Sequence, residues 1–257
     1  MNNLFALLPP AVNILVTGLF AGMVLRQYFN RHRAYQLYWA TALSMAFLAT
    51  LAYVLMILVQ PTSAAGIFLF RIYYDLGGAL VPAWLGLGSI ALVSSPRVTR
   101  ISLIILSLLS VLATGLIFLA TINLPKLAQI AGTPGTGTLE PGFWLVTLIV
   151  LNTLGVVAVV GVAIYSGWKL IRRQSSMGRS AYTSNVLWAN VFILIGEILN
   201  ATAGSLARFM GVEDIFWLIM ALGWLVLFIG VLLASRRSSI SKPSEIQTNV
   251  PQPVRSK

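Results

Sequence analysis

The stretch FWLVTLIVLNTLGVVAVVGVAIYSGW, residues 143–168, contains no charged residue and is followed at once by Lys169, Arg172 and Arg173. The hydrocarbon core of a bilayer is roughly 30 Å thick, and a helix needs about 20 apolar residues to cross it. An apolar run longer than this is typical of a membrane span and not of a core helix in a soluble protein. The stretch therefore predicts a transmembrane helix with a basic flank.

Six more apolar stretches of similar length predict an all-α membrane protein, a bundle of seven transmembrane helices over residues 1–235. The composition agrees, because only 9% of the 257 residues are charged, against about 25% in soluble domains. Residues 236–257 are rich in Ser, Pro and charge, which predicts a disordered basic tail. The predicted spans are Ala11–Tyr28, Tyr35–Val59, Ile67–Ser94, Ile101–Ile122, Phe143–Trp168, Ala181–Arg208 and Asp214–Ser235.

Positive charges are concentrated in alternate connections between the predicted spans. Fourteen of the 17 cations lie at the end of spans 1, 3, 5 and 7 or in the segments that follow them, and the other three are Arg71, Lys126 and Arg208. The positive-inside rule then predicts an external N-terminus and a cytoplasmic C-terminus, in a cell membrane and by expectation the bacterial inner membrane. The basic connections and tail would contact anionic lipid headgroups. The net charge of +11 is therefore explained without a nucleic-acid partner.

Several kinds of chemistry are not expected. The chain has no cysteine, which excludes disulfides and thiolate sites, and its one histidine, His32, lies in a basic turn. The predicted spans contain no lysine, so a retinal Schiff base of the opsin kind is excluded. We predict no catalytic residue, no metal site and no cofactor. The external connection 123–142 is rich in Gly, Thr and Pro, lacks the ending of a phosphate-binding loop, and is predicted to be flexible.

The first candidate site lies in the sixth span. Glu197 is about 14 residues from the cytoplasmic end, or roughly 21 Å at 1.5 Å per residue, near the middle of the membrane. Asn190, Glu197, Ala201, Gly204 and Arg208 share one helical stripe, with Asn200 beside it. A charge at this depth is costly and calls for a reason. Glu197 is therefore either a hydrogen-bonded tie between helices or a ligand- or proton-linked acid in a cavity.

The second candidate site lies in the third span, in the sequence Arg71-Ile72-Tyr73-Tyr74-Asp75. Arg71 and Asp75 are four residues apart and can form an ion pair on one helix face. With Glu197 and Arg208 they would line a polar vestibule that opens outward, beside Tyr74. Either an interfacial ion pair or such a vestibule is consistent with the pattern. Trp84 and Trp224 lie mid-helix, where they can form the wall of a pocket or fill the bundle.

Aromatic, Gly and Pro positions in the first three spans carry a partial resemblance. They are the basic turn Arg26–Arg33, Trp39, Tyr53, the stretch Phe70–Gly77 and the stretch Pro82–Leu85. In this third of its length the chain resembles the seven-helix N-terminal sensory region of bacterial histidine kinases. It is also similar in layout to uncharacterised bacterial integral membrane proteins of seven helices. The resemblance implies a sensory bundle, while a short tail in place of a kinase domain argues against kinase activity.

Three functions are consistent with these observations. The first is a non-enzymatic sensor- or receptor-like protein that binds a small or lipophilic ligand between its helices and acts through a membrane protein partner. The second is a small-solute or proton-coupled transporter that uses Glu197. The third is an accessory subunit of a membrane complex. We see no internal repeat, which disfavours the inverted-repeat transporter folds.

Overall fold

The computed structural model describes residues 3–174 and 181–235. Seven helical stretches in these ranges are long and apolar enough to cross a membrane, which confirms the predicted number. The predicted tail, 236–257, and the connection 175–180 lie outside the described residues. The helices are α1 (Asn3–Arg31), α2 (Ala34–Leu58), α3 (Ala64–Tyr73), α4 (Val81–Val93), α5 (Pro96–Leu119), α6 (Leu124–Ala128), α7 (Phe143–Gln174), α8 (Ala181–Met210) and α9 (Phe216–Ser235), and a π-helical segment, Tyr74–Leu80, joins α3 to α4.

The connections between spans fall at two ends of the bundle, because successive spans run in opposite directions. We call one end the lid end, with the connections 59–63, 120–142 and 211–215. The other is the basic end, with the connections 32–33 and 94–95. The third span is formed by α3, the π-helical segment and α4 together.

Six of the seven spans form a closed ring. Going round it, α1 packs on α2, α2 on the third span, α4 on α7, α7 on α8, α8 on α9, and α9 on α1. The fifth helix, α5, lies outside this ring against α4, the π-helical segment and α7. Since each helix of the ring has two ring neighbours, polar side chains can be kept away from lipid by pointing inward.

The first helix begins earlier than predicted. The sequence places its start at Ala11, after Pro9 and Pro10, whereas α1 begins at Asn3 and contains both prolines. Each proline removes one backbone hydrogen bond to the carbonyl four residues before it, here in the first two turns of the helix. These missing bonds do not end the helix.

The third span widens just before Pro82. A proline has no N–H, so the carbonyl four residues earlier, that of Gly78, loses its helical partner. The Asn152 side chain of α7 donates to this carbonyl, with 2.9 Å between Nδ2 and O. The Val81 N–H bonds to the carbonyl of Leu76, five residues back, as in a π-helix. The span therefore contains a seven-residue π-helical segment before Pro82, which Asn152 helps to stabilise.

Glycines set the closest approach between α4 and α7. A Cβ atom on Gly155 would overlap both the carbonyl carbon and the carbonyl oxygen of Pro82. A Cβ atom on Gly86 would lie 2.9 Å from the Cα of Gly155. The two backbones are therefore in direct contact, as small residues allow in membrane helix pairs.

We call the long connection 120–142 the lid. The sequence predicts a flexible loop here, but the lid is packed against the bundle. It contains α6, and three of its apolar side chains, Leu127, Ile130 and Leu139, are buried. The Tyr53 hydroxyl donates to the carbonyl of Ile130 at 3.0 Å, and the Tyr73 hydroxyl donates to the carbonyl of Pro134 at 3.0 Å. The glycines that suggested flexibility supply left-handed turns, with φ of 72° at Gly135.

Candidate functional site

The ring encloses a cavity of about 400 Å³ in the half of the bundle nearest the lid. Small-molecule sites in proteins are typically 300–1,000 Å³, so this cavity is in the range that holds a ligand. Of the nine predicted site residues, five line it. They are Tyr74, Glu197, Asn200, Arg208 and Trp224.

The polar stripe predicted on the sixth span faces this cavity over most of its length. Glu197, Ala201, Gly204 and Arg208 of α8 all line it. Eleven residues separate Glu197 from Arg208, which is roughly 16 Å along a helix axis. The two ionisable groups therefore stand at opposite ends of the cavity, and the acid is the deeper of the two.

The deep end carries polar groups without partners. The Glu197 side chain is 3% exposed, and its Oε2 atom is buried with no hydrogen-bond partner. Both amide atoms of Asn200 on α8 are buried without a partner, and so are both amide atoms of Asn13 on α1. Buried polar groups in native proteins are nearly always hydrogen-bonded, to protein, water or ligand. These three side chains can therefore bind a polar group that enters the cavity.

Between its two ends the cavity is mainly apolar. Its walls include Leu148 and Val156 of α7 and Met220 and Trp224 of α9. Trp224 is 3% exposed, so it acts both as a wall of the cavity and as part of the packed core. An apolar wall between two polar ends favours a ligand with an apolar body.

Arg208 and the lid close the other end. The Nη2 atom of Arg208 donates to the Tyr74 hydroxyl at 2.6 Å. Its guanidinium carbon lies 5.9 Å from the ring centre of Tyr74 and 5.8 Å from that of Trp144, within cation–π range. Pro134 and Thr136 of the lid complete the lining above these aromatic rings.

The cavity reaches the outer surface of the ring between α7 and α8. Several lining residues are also exposed on the outside of the bundle, for example Val157 at 62% and Phe209 at 72%. Ile149 on α7 and Gly204 on α8 are exposed in the same way. Both helices are long and apolar enough to cross a membrane, so this opening, which we call the side opening, would face lipid from the middle of α7 to the lid end of α8.

The basic side of the cavity is nearly closed by apolar side chains. Phe20 of α1, Leu43 of α2, Leu85 of α4, and Leu227 and Val231 of α9 form one buried cluster between Glu197 and the basic end. These five residues and Glu197 line a small void of about 20 Å³, which is room for about one water molecule. In the described conformation no wide passage leads from the cavity to the basic end.

Arg71 and Asp75 do not form the predicted ion pair, and they do not line the cavity. Arg71 lies at the C-terminal end of α5, where its guanidinium donates to the carbonyls of Ile117, Phe118 and Ala120. Asp75 accepts from the hydroxyl of Thr114 at 3.0 Å. Free carbonyls at a helix end are good partners for a cation, which explains the position of the Arg71 guanidinium. Asp75 lies in the π-helical segment, where the α-helical spacing that would pair it with Arg71 no longer holds. The predicted four-charge vestibule is wrong.

Two other candidates also lie outside the cavity. The Trp84 indole donates to the hydroxyl of Ser110 on α5 at 3.3 Å, which makes it a contact between helices. The Oδ1 atom of Asn190 accepts from the Ser166 hydroxyl on α7 at 3.2 Å. Both residues contribute to packing within the bundle.

One acidic residue lies just outside the spans at the lid end. Glu213 is in the connection between α8 and α9, and burial raises the pKa of its carboxyl. Its hydrogen-bond partner is Thr133 of the lid, and its charged neighbours are Asp214 and Lys126. Its charge also acts on Tyr73 and Tyr74, and the hydroxyl of Tyr74 accepts a hydrogen bond from Arg208.

The predicted site residues do not include Asn13, Asn152 or Trp217. Asn13, Asn152 and Trp217 all line the cavity. An isolated Asn in an apolar helix is a signal that could have found the first two, because its amide needs partners that lipid does not supply. The contribution of Trp217 depends on how α9 is rotated in the ring, which its uniformly apolar sequence does not indicate.

Comparison with family models, with curated proteins and with solved structures finds no match for this chain. The resemblance to histidine-kinase sensory regions therefore stays a prediction. The chemistry of the cavity is what remains to indicate a function.

Proposed function

We propose that this chain is a receptor-like membrane protein, not an enzyme, that binds a small lipophilic molecule in the cavity and acts through a partner protein. One observation carries the proposal. The cavity is apolar in the middle, has unpaired polar groups at its deep end, and opens sideways into the lipid region between α7 and α8. A molecule dissolved in the bilayer can enter by this route without crossing water.

The orientation predicted from the charges completes the proposal. The lid end faces outside and the basic end faces the cytoplasm, in a bacterial inner membrane. The described basic end carries exposed cations such as Arg33, Arg97 and Arg100, which would contact anionic headgroups. A ligand that enters from the outer leaflet would then change the packing of the ring, and a partner protein would respond to that change.

Transport is the second candidate, because Glu197 is a buried acid in a cavity. Carriers commonly place such a group near mid-membrane. We rank transport below binding because the basic side is nearly closed, with room for only about one water molecule beside Glu197. A transporter would have to open the cluster around Leu43 and Leu227 in a second conformation.

Blocking the side opening tests the proposal. A Cβ atom on Gly204 meets no atom within 4 Å, so Gly204→Trp can place its indole in the opening without a clash at its base. In vesicles, a diazirine-bearing dodecanol should label the native protein on α7 and α8, and Gly204→Trp should lose most of that labelling. Labelling is read by mass spectrometry of the cleaved protein.

Gly161→Trp is the matched control. Gly161 is also an exposed helical glycine where an added Cβ atom would meet no atom within 4 Å, but it does not line the cavity. This variant should label like the native protein. Equal labelling of all three proteins would contradict entry through the side opening.

The proposed orientation makes a separate prediction. Glu140 in the lid and Arg97 at the start of α5 are both exposed, and the chain has no native cysteine. A membrane-impermeant maleimide should modify Glu140→Cys in intact cells and Arg97→Cys only after permeabilisation, because they lie at opposite ends of the bundle. The reverse pattern would show that the basic end faces outside.

A further inference from the structure

We infer that the ligand of this cavity is a single-chain amphiphile that is polar at both ends. Its acidic group would be held by Arg208 and Tyr74, and a hydrogen-bonding group at its far end would meet Glu197, Asn200 and Asn13. This inference rests on the proposed function and specifies the chemical class of the ligand.

The acidic group is inferred from the unbalanced charge of Arg208. Among the described residues its guanidinium forms no ion pair with a carboxylate, although the charge of Glu213 also acts on Tyr74; it donates instead to the Tyr74 hydroxyl. A guanidinium has five N–H donors, arranged to fit an oxyanion such as a carboxylate. Its guanidinium is partly buried beside the rings of Tyr74 and Trp144. An anion is the partner that this end of the cavity lacks.

The second polar group is inferred from the deep end. A plain alkyl chain would leave the Oε2 atom of Glu197 and the amides of Asn200 and Asn13 without partners. A hydroxyl, carbonyl or amide group on the ligand can hydrogen-bond to these side chains, and a hydroxyl can both donate and accept. Because three side chains with unpaired polar atoms line this cavity, a ligand with a polar end fits it better than one with an apolar end.

The length of the ligand follows from the helix geometry. Arg208 and Glu197 are roughly 16 Å apart along α8, about half of the 30 Å hydrocarbon core. Arg208 lies two residues before the end of α8, at the depth where lipid headgroups meet acyl chains. A chain of about one leaflet in length would therefore reach from the headgroup region to Glu197.

Three probes with the same twelve-carbon chain separate the two polar ends. They are 12-hydroxydodecanoate, dodecanoate and 1,12-dodecanediol, each used to displace the photoreactive dodecanol from the native protein in vesicles. We expect 12-hydroxydodecanoate to be the strongest competitor. Acetate, which has the anion without the chain, should not compete, and competition by acetate as strong as by dodecanoate would show a site for free anions.

Variants then assign each end. Arg208→Gln should weaken competition by both acids by about tenfold or more, since charge-assisted hydrogen bonds are lost, and should leave the diol unchanged. Asn200→Leu should weaken competition by 12-hydroxydodecanoate and by the diol, and it should leave competition by dodecanoate unchanged. Arg100→Gln, an exposed cation at the basic end, is the charge control and should behave like the native protein.

The outcomes distinguish this inference from the proposed function. If dodecanol labels the cavity but the diol competes as strongly as the two acids, the inference of an acidic group on the ligand is wrong. The proposed binding function is then unaffected. If dodecanoate competes as strongly as 12-hydroxydodecanoate, the inference of a second polar group on the ligand is wrong. If dodecanol does not label the side opening at all, the proposed function itself fails. The comparison of probes on the native protein decides the inference even if Arg208→Gln does not fold.

Discussion

Gly155→Ala should strongly destabilise this protein by adding a single methyl group. The new Cβ atom would overlap two backbone atoms of Pro82 and lie 2.6 Å from the backbone nitrogen of Ala83. Backbone atoms cannot turn away as a side chain can, so α7 and α4 would have to separate. Overpacking commonly costs about 1–3 kcal/mol and occasionally more, and we expect the upper end of that range or beyond. Thermal unfolding in detergent measures it.

The destabilisation caused by Gly155→Ala should extend beyond the contact between α4 and α7. Asn152, one turn before Gly155, donates to the carbonyl of Gly78, and moving α7 would break this bond. Gly161→Ala is the control, because it adds the same methyl group to the same helix where no atom lies within 4 Å. It should be neutral or slightly stabilising, since alanine favours helix more than glycine. Equal stability of the two variants would mean that α4 and α7 do not touch at Gly155.

Glu197→Leu should separate stability from binding. If Glu197 tied the helices together, its removal would leave partners unpaired and destabilise the bundle. The structure instead gives its buried Oε2 atom no partner, and an unpaired buried polar group costs about 1–3 kcal/mol. We therefore expect Glu197→Leu to unfold at the same or a higher temperature than the native protein in the absence of ligand. Displacement by 1,12-dodecanediol should also weaken in this variant, because one of the three polar side chains at the deep end is gone.

Glu197→Gln completes the comparison. The amide keeps the size of the side chain and its ability to hydrogen-bond, so stability should change little and part of the binding should remain. A transporter that moves protons through Glu197 would lose activity in this variant. A strong loss of stability in Glu197→Leu, with binding retained, would instead show that Glu197 is a structural tie.

The spans and the inward stripe on α8 could be predicted from the sequence because they depend on local patterns. A run of about 20 apolar residues is enough to indicate a membrane helix. A polar and small stripe at helical spacing indicates which face avoids lipid. Glu197, Gly204 and Arg208 share such a stripe, and all three line the cavity.

The lid and the role of Arg71 could not be predicted in this way, since they depend on partners far along the chain. The lid is held by the hydroxyls of Tyr53 and Tyr73, which come from two other spans. The Gly, Thr and Pro content of the lid does not indicate whether such partners exist elsewhere in the chain. Arg71 binds the end of α5, more than 40 residues away, in place of Asp75 on its own helix. Only the packing of the spans decides between such alternatives.

The central claim is that the cavity holds a molecule taken from the membrane, and native mass spectrometry of the protein released from its own membranes tests this most directly. The native protein and Gly161→Trp should both carry the same additional small mass, while Gly204→Trp, with its side opening blocked, should carry none. The bound molecule should be acidic, and its amount should fall in Arg208→Gln. The claim would be contradicted if the native protein carries no bound molecule, or if Gly204→Trp carries the same molecule in the same amount.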